Sequence, residues 1–405
     1  MNGPRPPVAL YIHVPFCVSL CPYCDFVVYA GGAARGPRNR VEAFCRAVRA
    51  ELELRADALD GAFPDRAPLE TVYVGGGTPS LLSPDTIAGL LERVVARFGL
   101  APGAEVTLEV NPGPDERGDA RGWRDAGVTR LSIGAQSLEA GELRALGRRH
   151  APVDVADAVA EARAAGIESV SLDLLYDIPK SAPATWPATL EDALGLAPDH
   201  LSIYALTLDD PDAEGLTGPR GDHLPTTAGA RRWRDRARSA QDEDRAAAQY
   251  HHAVARLGGA GWRGYEISNW ARPGHESRHN LVYWERRPYG ALGPGAHAFD
   301  GATRRWNAAG LDAYVAALDP REGSSPELPP GGSEEIDESA AAIERVILGL
   351  RMDRGIPAAL GECEPLAGQL GWALSAGLVE ATTDGRIVLT TTGRLLSNEL
   401  FQRLV

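Results

Sequence analysis

Six short apolar segments, Ala9–Val14, Thr71–Val74, Glu105–Val110, Thr129–Ile133, Ser169–Leu174 and Leu201–Leu206, alternate with stretches of helical periodicity such as Val41–Asp57, Pro84–Phe98 and Val153–Ala165. That rhythm predicts successive βα units and a parallel sheet, hence an α/β fold. Six units suit a partial (βα)6 barrel better than a closed eight-stranded one. In such folds the C-terminal strand ends form one face, and that face carries the active site. Here every strand ends in something chemically marked. A cysteine loop follows the first, Gly75-Gly-Gly-Thr-Pro79 the second and Glu109-Val-Asn-Pro112 closes the third; the fourth ends in Gly134-Ala-Gln136, and the last two carry Asp173 and Tyr204.

With 405 residues, 44% of them hydrophobic, the chain has room for one large domain and a smaller one. Forty-one basic against 55 acidic residues, a net charge of −14, argue against nucleic acid as a partner. The N-terminus lacks a secretory pattern, and no stretch approaches the roughly 20 apolar residues of a membrane span. A cytoplasmic protein that does not cross a membrane is expected, in which clustered cysteines stay reduced.

The expected organisation is a core over 1–208, an exposed insertion over 209–247 and an extension over 248–319. A Pro/Gly/Ser-rich linker over 320–335 then leads to a C-terminal module over 336–405. The insertion's basic run, Arg231-Arg-Trp-Arg-Asp-Arg-Ala-Arg238, reads as a solvated face. In the last module, helices at Glu338–Leu350 and Leu366–Ser375, a hairpin over Leu378–Leu389 and a helix at Thr392–Leu404 resemble a winged helix. Nine acidic against six basic residues there favour a packing or lid role over DNA binding.

Three of the five cysteines, Cys17, Cys21 and Cys24, fall within eight residues, while Cys45 and Cys363 lie apart and read as small buried hydrophobes. A tetrahedral zinc or a complete iron–sulfur set takes four protein ligands; three leave a position open. The triplet is open to three readings: incidental thiols, a zinc that borrows a histidine such as His13, or a 4Fe-4S cluster. A cluster on three thiolates leaves one iron free to chelate an amine and a carboxylate, and S-adenosylmethionine offers both. The Gly75–Thr78 run lets a ligand approach backbone closely, or else serves a tight strand-to-helix turn. Glu109, Gln136, Arg148 and Asp173 supply donors and acceptors for a ribose, an adenine and a carboxylate, or else act as surface and capping residues.

The cysteine spacing resembles the signature of the radical SAM superfamily. Tyr11-Ile-His-Val-Pro-Phe-Cys17, Gly75-Gly-Gly-Thr-Pro-Ser-Leu81, Arg130-Leu-Ser-Ile-Gly-Ala-Gln-Ser137 and Asp173-Leu-Leu-Tyr-Asp-Ile-Pro179 are similar to proteins related to oxygen-independent coproporphyrinogen III dehydrogenase. Three features resemble the HemW branch of haem chaperones instead of the dehydrogenase: Cys24-Asp25-Phe26 where the enzyme has a further cysteine, the HNxxYW run His279–Trp284, and a short N-terminus.

The resemblance implies cluster ligands at Cys17, Cys21 and Cys24. It also implies an S-adenosylmethionine pocket of Tyr11, Tyr23, Gly76, Gly77, Thr78, Glu109, Gln136, Arg148 and Asp173, and haem contacts at His279, Tyr283 and Trp284. An imidazole is a good axial ligand and aromatic rings stack on porphyrins, yet a His-Asn pair also commonly satisfies backbone groups; His251, His252, His275 and His297 compete for the role. The implied function is haem binding and transfer to an unidentified acceptor protein. The alternative is the dehydrogenase, working through a 5′-deoxyadenosyl radical. The oligomeric state stays open, a homodimer included.

Overall fold

The computed structural model describes residues 3–31, 39–319, 324–361 and 366–405. Cys363 and the first part of the expected linker, 320–323, lie outside the described residues.

One twelve-stranded sheet organises the chain. Its strands are β1 (Ala9–Val14), β2 (Leu69–Gly76), β3 (Leu100–Val110), β4 (Arg130–Gln136), β5 (Ser169–Tyr176), β6 (His200–Ala205), β7 (Arg263–Gly264), β8 (Asn269–Ala271), β9 (Tyr289–Leu292), β10 (His297–Phe299), β11 (Thr303–Asn307) and β12 (Gly331–Glu335). Their spatial order is β12-β11-β10-β9-β1-β2-β3-β4-β5-β6-β8-β7. Strands β1 to β6 run parallel in sequence order, as the βα rhythm predicts, and β9 joins the free side of β1, also in parallel. The outer strands are antiparallel.

A parallel strand buried on both faces reads as a continuous apolar run. These strands alternate instead. Leu10 and Ile12, Val72 and Val74, Val106 and Leu108, Leu131 and Ile133, Val170 and Leu172, Leu201 and Ile203 join the main core. The positions between them, including Tyr73, Glu109, Ser132, Asp173, Ser202 and Tyr204, line a lumen. Side chains of successive strand residues point to opposite faces, so each strand contributes one row to the core and one to a polar interior. Helices α1 (Asn39–Ala62), α2 (Pro84–Phe98), α3 (Ala120–Asp125), α4 (Ala140–Ala145), α5 (Pro152–Ala165) and α6 (Thr185–Gly195) follow the strands along the chain. Helix α2 illustrates their local logic: the Ser83 side chain accepts from the Thr86 amide, Pro84 opens the helix, and Gly99 ends it at φ +70°.

Two expectations need correction. The 209–247 segment is not wholly an exposed insertion, because it folds into α7 (Ala228–Arg238) and the start of α8 (Glu243–Gly259), and Arg234 and Ala237 are buried. The 320–335 segment is not wholly a linker either. Residues 331–335 form β12, which pairs with β11 from Asn307–Gly331 to Thr303–Glu335. Gly331 and Gly332 make this possible, since a side chain at either would collide with Trp306.

Helix α9 (Arg278–Trp284) lies in the extension, followed by α10 (Leu311–Leu318). The C-terminal module comprises α11 (Glu338–Arg351), α12 (Leu366–Ser375), α13 (Thr391–Leu395), α14 (Ser397–Leu404) and a three-stranded antiparallel sheet. This winged-helix-like α+β unit has its own core around Leu350, Ile356, Leu370, Val379 and Leu400. It packs against α9 and brings Arg351, Ser397 and Asn398 to the lumen. No helix among the described residues is long and apolar enough to cross a membrane.

Candidate functional site

At the C-terminal ends of the parallel strands lies a cavity of about 580 Å³. Cys17, Cys21, Cys24, Tyr23, Gly76, Gly77, Glu109, Gln136, Arg148 and Asp173, separated by up to 156 positions in the chain, all line it. Of the remaining expected pocket residues, Thr78 is buried just behind the cysteines and Tyr11 stands beneath, its hydroxyl 3.0 Å from His13 Nδ1.

The cysteine loop is pinned at both ends, because Phe16–Cys17 pairs with Tyr29–Ala30. A turn within it brings the Cys24 amide to the Cys21 carbonyl at 3.1 Å. The glycine turn presses against this loop. Gly77 and Thr78 donate to the Val14 and Phe16 carbonyls at 2.9 and 2.7 Å, and a Cβ on Gly77 would stand 2.6 Å from the Phe16 oxygen. Gly76, at φ +113°, faces the His13 ring where no side chain fits.

A polar chain then runs along the rim. Thr78 Oγ1 donates to Cys17 Sγ at 3.3 Å and accepts from Asn111 Nδ2 at 2.9 Å. Arg148 donates to Asn111 Oδ1 at 2.6 Å, to the Gly134 carbonyl at 2.8 Å and to Cys21 Sγ at 3.6 Å. Asn111, in the Glu109-Val-Asn-Pro112 run, is a rim residue that the sequence reading leaves without a role; its position two residues beyond Glu109 is the signal for it. Arg351, on the C-terminal module, has none.

Burial pushes the Cys17 thiol up to about 11, and burial pushes Cys24 higher still. Thiols so desolvated ionise when a cation compensates them, and those described are free of disulfides. The donor set, three thiols beside a cationic guanidinium, fits an iron–sulfur cluster, which Cys17, Cys21 and Cys24 would hold. It does not fit the zinc alternative. Among the described residues no three His, Cys, Asp or Glu side chains converge on one ion. His13 is also engaged at both nitrogens: Nε2 lies 2.8 Å from the Val27 carbonyl and Nδ1 meets Tyr11, while burial lowers its pKa to about 4.

Glu109 accepts the Tyr73 hydroxyl and the Gly76 amide, both at 2.8 Å, and burial raises its pKa to about 7. Asp173, also raised by burial, accepts from Ser132 Oγ at 3.0 Å. Gln136 ends β4 at φ +66°, a conformation that costs a non-glycine residue energy and turns its side chain out of the strand's row. A carboxylate of near-neutral pKa, a second carboxylate, an amide and exposed strand-end backbone can hold an amino-carboxylate and a ribose together.

The expected haem triad has a different setting. His279 is 1% exposed in α9, with Nδ1 2.7 Å from Thr71 Oγ1 and Nε2 2.8 Å from the Tyr283 hydroxyl, and burial lowers its pKa to about 3. The Glu105 carboxylate takes the Arg278 and His279 amides at 3.1 Å each, and Ser277 caps the helix. Tyr283 packs edge-on against Tyr289 at 4.6 Å, and the Arg351 guanidinium covers the Trp284 ring at 4.4 Å. Both His279 nitrogens are thus engaged, its ring lies 5.1 Å from those of Tyr73 and Tyr283, and it does not line the cavity. Asn280, its neighbour, does line the cavity.

Three thiols beside a glycine turn, at the open end of a six-stranded parallel half-barrel, define a class of protein, and a model of the radical SAM superfamily matches residues 11–193. Heme chaperone HemW of Mycobacterium tuberculosis is 39% identical over 404 residues, covering 99% of this chain and 96% of that protein. Heme chaperone HemW of Escherichia coli is 36% identical, covering 72% of this chain and 70% of its own length. The chain belongs to the HemW family of the radical SAM superfamily. The solved structure of coproporphyrinogen III oxidase (HemN) from Escherichia coli shares the fold, with a TM-score of 0.78 over 100% of this chain and 91% of that one, at 22% identity.

Proposed function

We propose that this protein is a haem chaperone, binding haem and passing it to an acceptor protein in the cytoplasm. In this reading it carries a 4Fe-4S cluster on Cys17, Cys21 and Cys24, with S-adenosylmethionine at the open iron. The observation that carries the reading is the kinship with a haem chaperone along almost the whole chain. Phe26 agrees with it: where the dehydrogenase pattern has a further cysteine, an exposed phenyl ring stands at the cavity mouth.

The bound cluster would supply an iron that chelates the amino and carboxylate groups of S-adenosylmethionine. The rest falls to the chain's own residues. The Gly75–Thr78 turn brings backbone groups against the ligand's methionine end. Glu109, ionised in part near neutral pH, accepts from its ammonium or a hydroxyl, and Asp173 and Gln136 serve the ribose and adenine. Arg148 ties the loop to β4 and offsets the thiolates' charge. His279 and Trp284 support the pocket from behind its lining, packed against Tyr73 and Arg351, and Tyr283 packs on His279.

Titrating the anaerobically reconstituted protein with haemin should give a saturable shift of the porphyrin absorption, and the bound haem should move to an apo-haem protein added in excess. The same preparation given coproporphyrinogen III, S-adenosylmethionine and reductant should yield no protoporphyrinogen IX. Formation of that product would overturn the chaperone reading in favour of the dehydrogenase.

A further inference from the structure

Helix α7 carries five arginines, and Arg231, Arg232, Arg236 and Arg238 are exposed as a solvated basic face requires. Arg234 is 5% exposed. Its Nε donates to the Pro22 carbonyl at 3.1 Å, one terminal nitrogen to the Cys24 carbonyl at 2.8 Å, and the other to the Asp209 carbonyl. Two of those three acceptors belong to the cysteine loop. The helix is held in place independently: the Trp233 indole donates to the Ala145 carbonyl at 3.0 Å and its ring lies 6.3 Å from that of Tyr23.

The carbonyls satisfy the guanidinium's hydrogen bonds but not its charge. Among the described residues no carboxylate pairs with Arg234, whereas Arg286 takes Glu344 and Arg245 takes Asp177; the buried Arg130 and the rim's Arg148 share this lack of an ion-pair partner. A buried cation without a counter-charge is costly, so an anion is expected opposite. Three thiolates outweigh the charge of an oxidised cluster core, and reduction adds an electron. Arg148 approaches the loop through Cys21 Sγ, and Arg234 approaches it from the carbonyls of Pro22 and Cys24.

We propose that Arg234 is a positioning residue for the cluster, holding the Cys21–Cys24 turn by its carbonyls and raising the reduction potential through its unpaired charge. This rests on the cluster reading above. Mutation of outer-shell partners of metal ligands typically costs about 10–100-fold in metal affinity or activity.

The test is anaerobic reconstitution of wild type, Arg234→Gln and Arg234→Lys, with bound iron and sulfide, the midpoint of a redox titration, and the rate of iron release to a chelator measured on each. Arg234→Gln should load, show a more negative midpoint and release iron about tenfold faster. Arg234→Lys keeps the charge but cannot span three carbonyls, so its midpoint should return towards wild type while release stays fast. A loaded Arg234→Gln protein with wild-type midpoint and release rate overturns the inference alone. Wild type that takes up no iron and sulfide removes the cluster reading, and the inference with it.

Discussion

Glu109 and His279 stand on two sides of one tyrosine and have opposite fates. The Tyr73 hydroxyl binds Glu109 at 2.8 Å, and the Tyr73 ring lies 5.1 Å from the His279 imidazole. Above that ring, at the rim, a carboxylate with two donors keeps lone pairs for a ligand and faces a cavity. Below it, at the floor, both imidazole nitrogens are taken and the ring is enclosed. The difference teaches that a residue type known for binding says little until its hydrogen bonds are counted: what is already paired holds the fold, and what is left over can hold a ligand.

The strongest test of that contrast is His279→Ala. It removes two buried hydrogen bonds and a packed ring, and strands the Thr71 and Tyr283 hydroxyls, for a loss of about 3–5 kcal/mol. Chemical denaturation should report the loss, while haemin titration of the folded variant should match wild type. A variant of undiminished stability that no longer shifts the porphyrin absorption would break the comparison, returning His279 to the ligands.

Glu109→Gln sharpens the other side. Burial lifts Glu109 from an ordinary value of 4.5 to about 7. Between those values the folded protein keeps a proton that the unfolded chain releases, so this group lowers stability as pH rises through the window. Above pH 7 the full penalty applies, at most about 3 kcal/mol. Glutamine has no such dependence. Melting temperatures taken from pH 5 to pH 8 should therefore move in favour of the variant, even as it binds S-adenosylmethionine more weakly. Parallel curves for the two proteins would show that Glu109 is not desolvated as the structure has it.

Much of the rim could be read from the chain because it is local. The cysteine spacing, the glycine turn and the marked residue at each strand end are each contained in a few consecutive positions, and the apolar rows of β1 to β6 announce the strands. What escaped depends on distant partners. The polar row of each strand looks like a solvent face until the half-barrel turns it inward. Residues Gly331–Glu335 contain no apolar side chain and become a strand only because β11 offers its edge. Arg234 is one arginine among five until α7 docks on the cysteine loop, and His279 sits in a motif whose hydrogen-bond partners include Thr71, 208 positions earlier.

The smallest expected effect falls on the link that joins the rim's polar chain to the first cysteine. Thr78 is 1% exposed, and Thr78→Val keeps its shape while removing the oxygen between Cys17 Sγ and Asn111 Nδ2. The Asn111 amide then loses its acceptor, although Asn111 Oδ1 keeps the Arg148 guanidinium. A single neutral hydrogen bond with one partner left unpaired corresponds to about 1–2 kcal/mol, which chemical denaturation of the metal-free protein resolves. Thr78→Ser restores the hydroxyl and should recover most of that loss, giving up only the methyl group's packing. A valine variant as stable as wild type beside a destabilised serine variant would mean that the methyl, not the oxygen, holds the rim together, and the rim would then be built like the core.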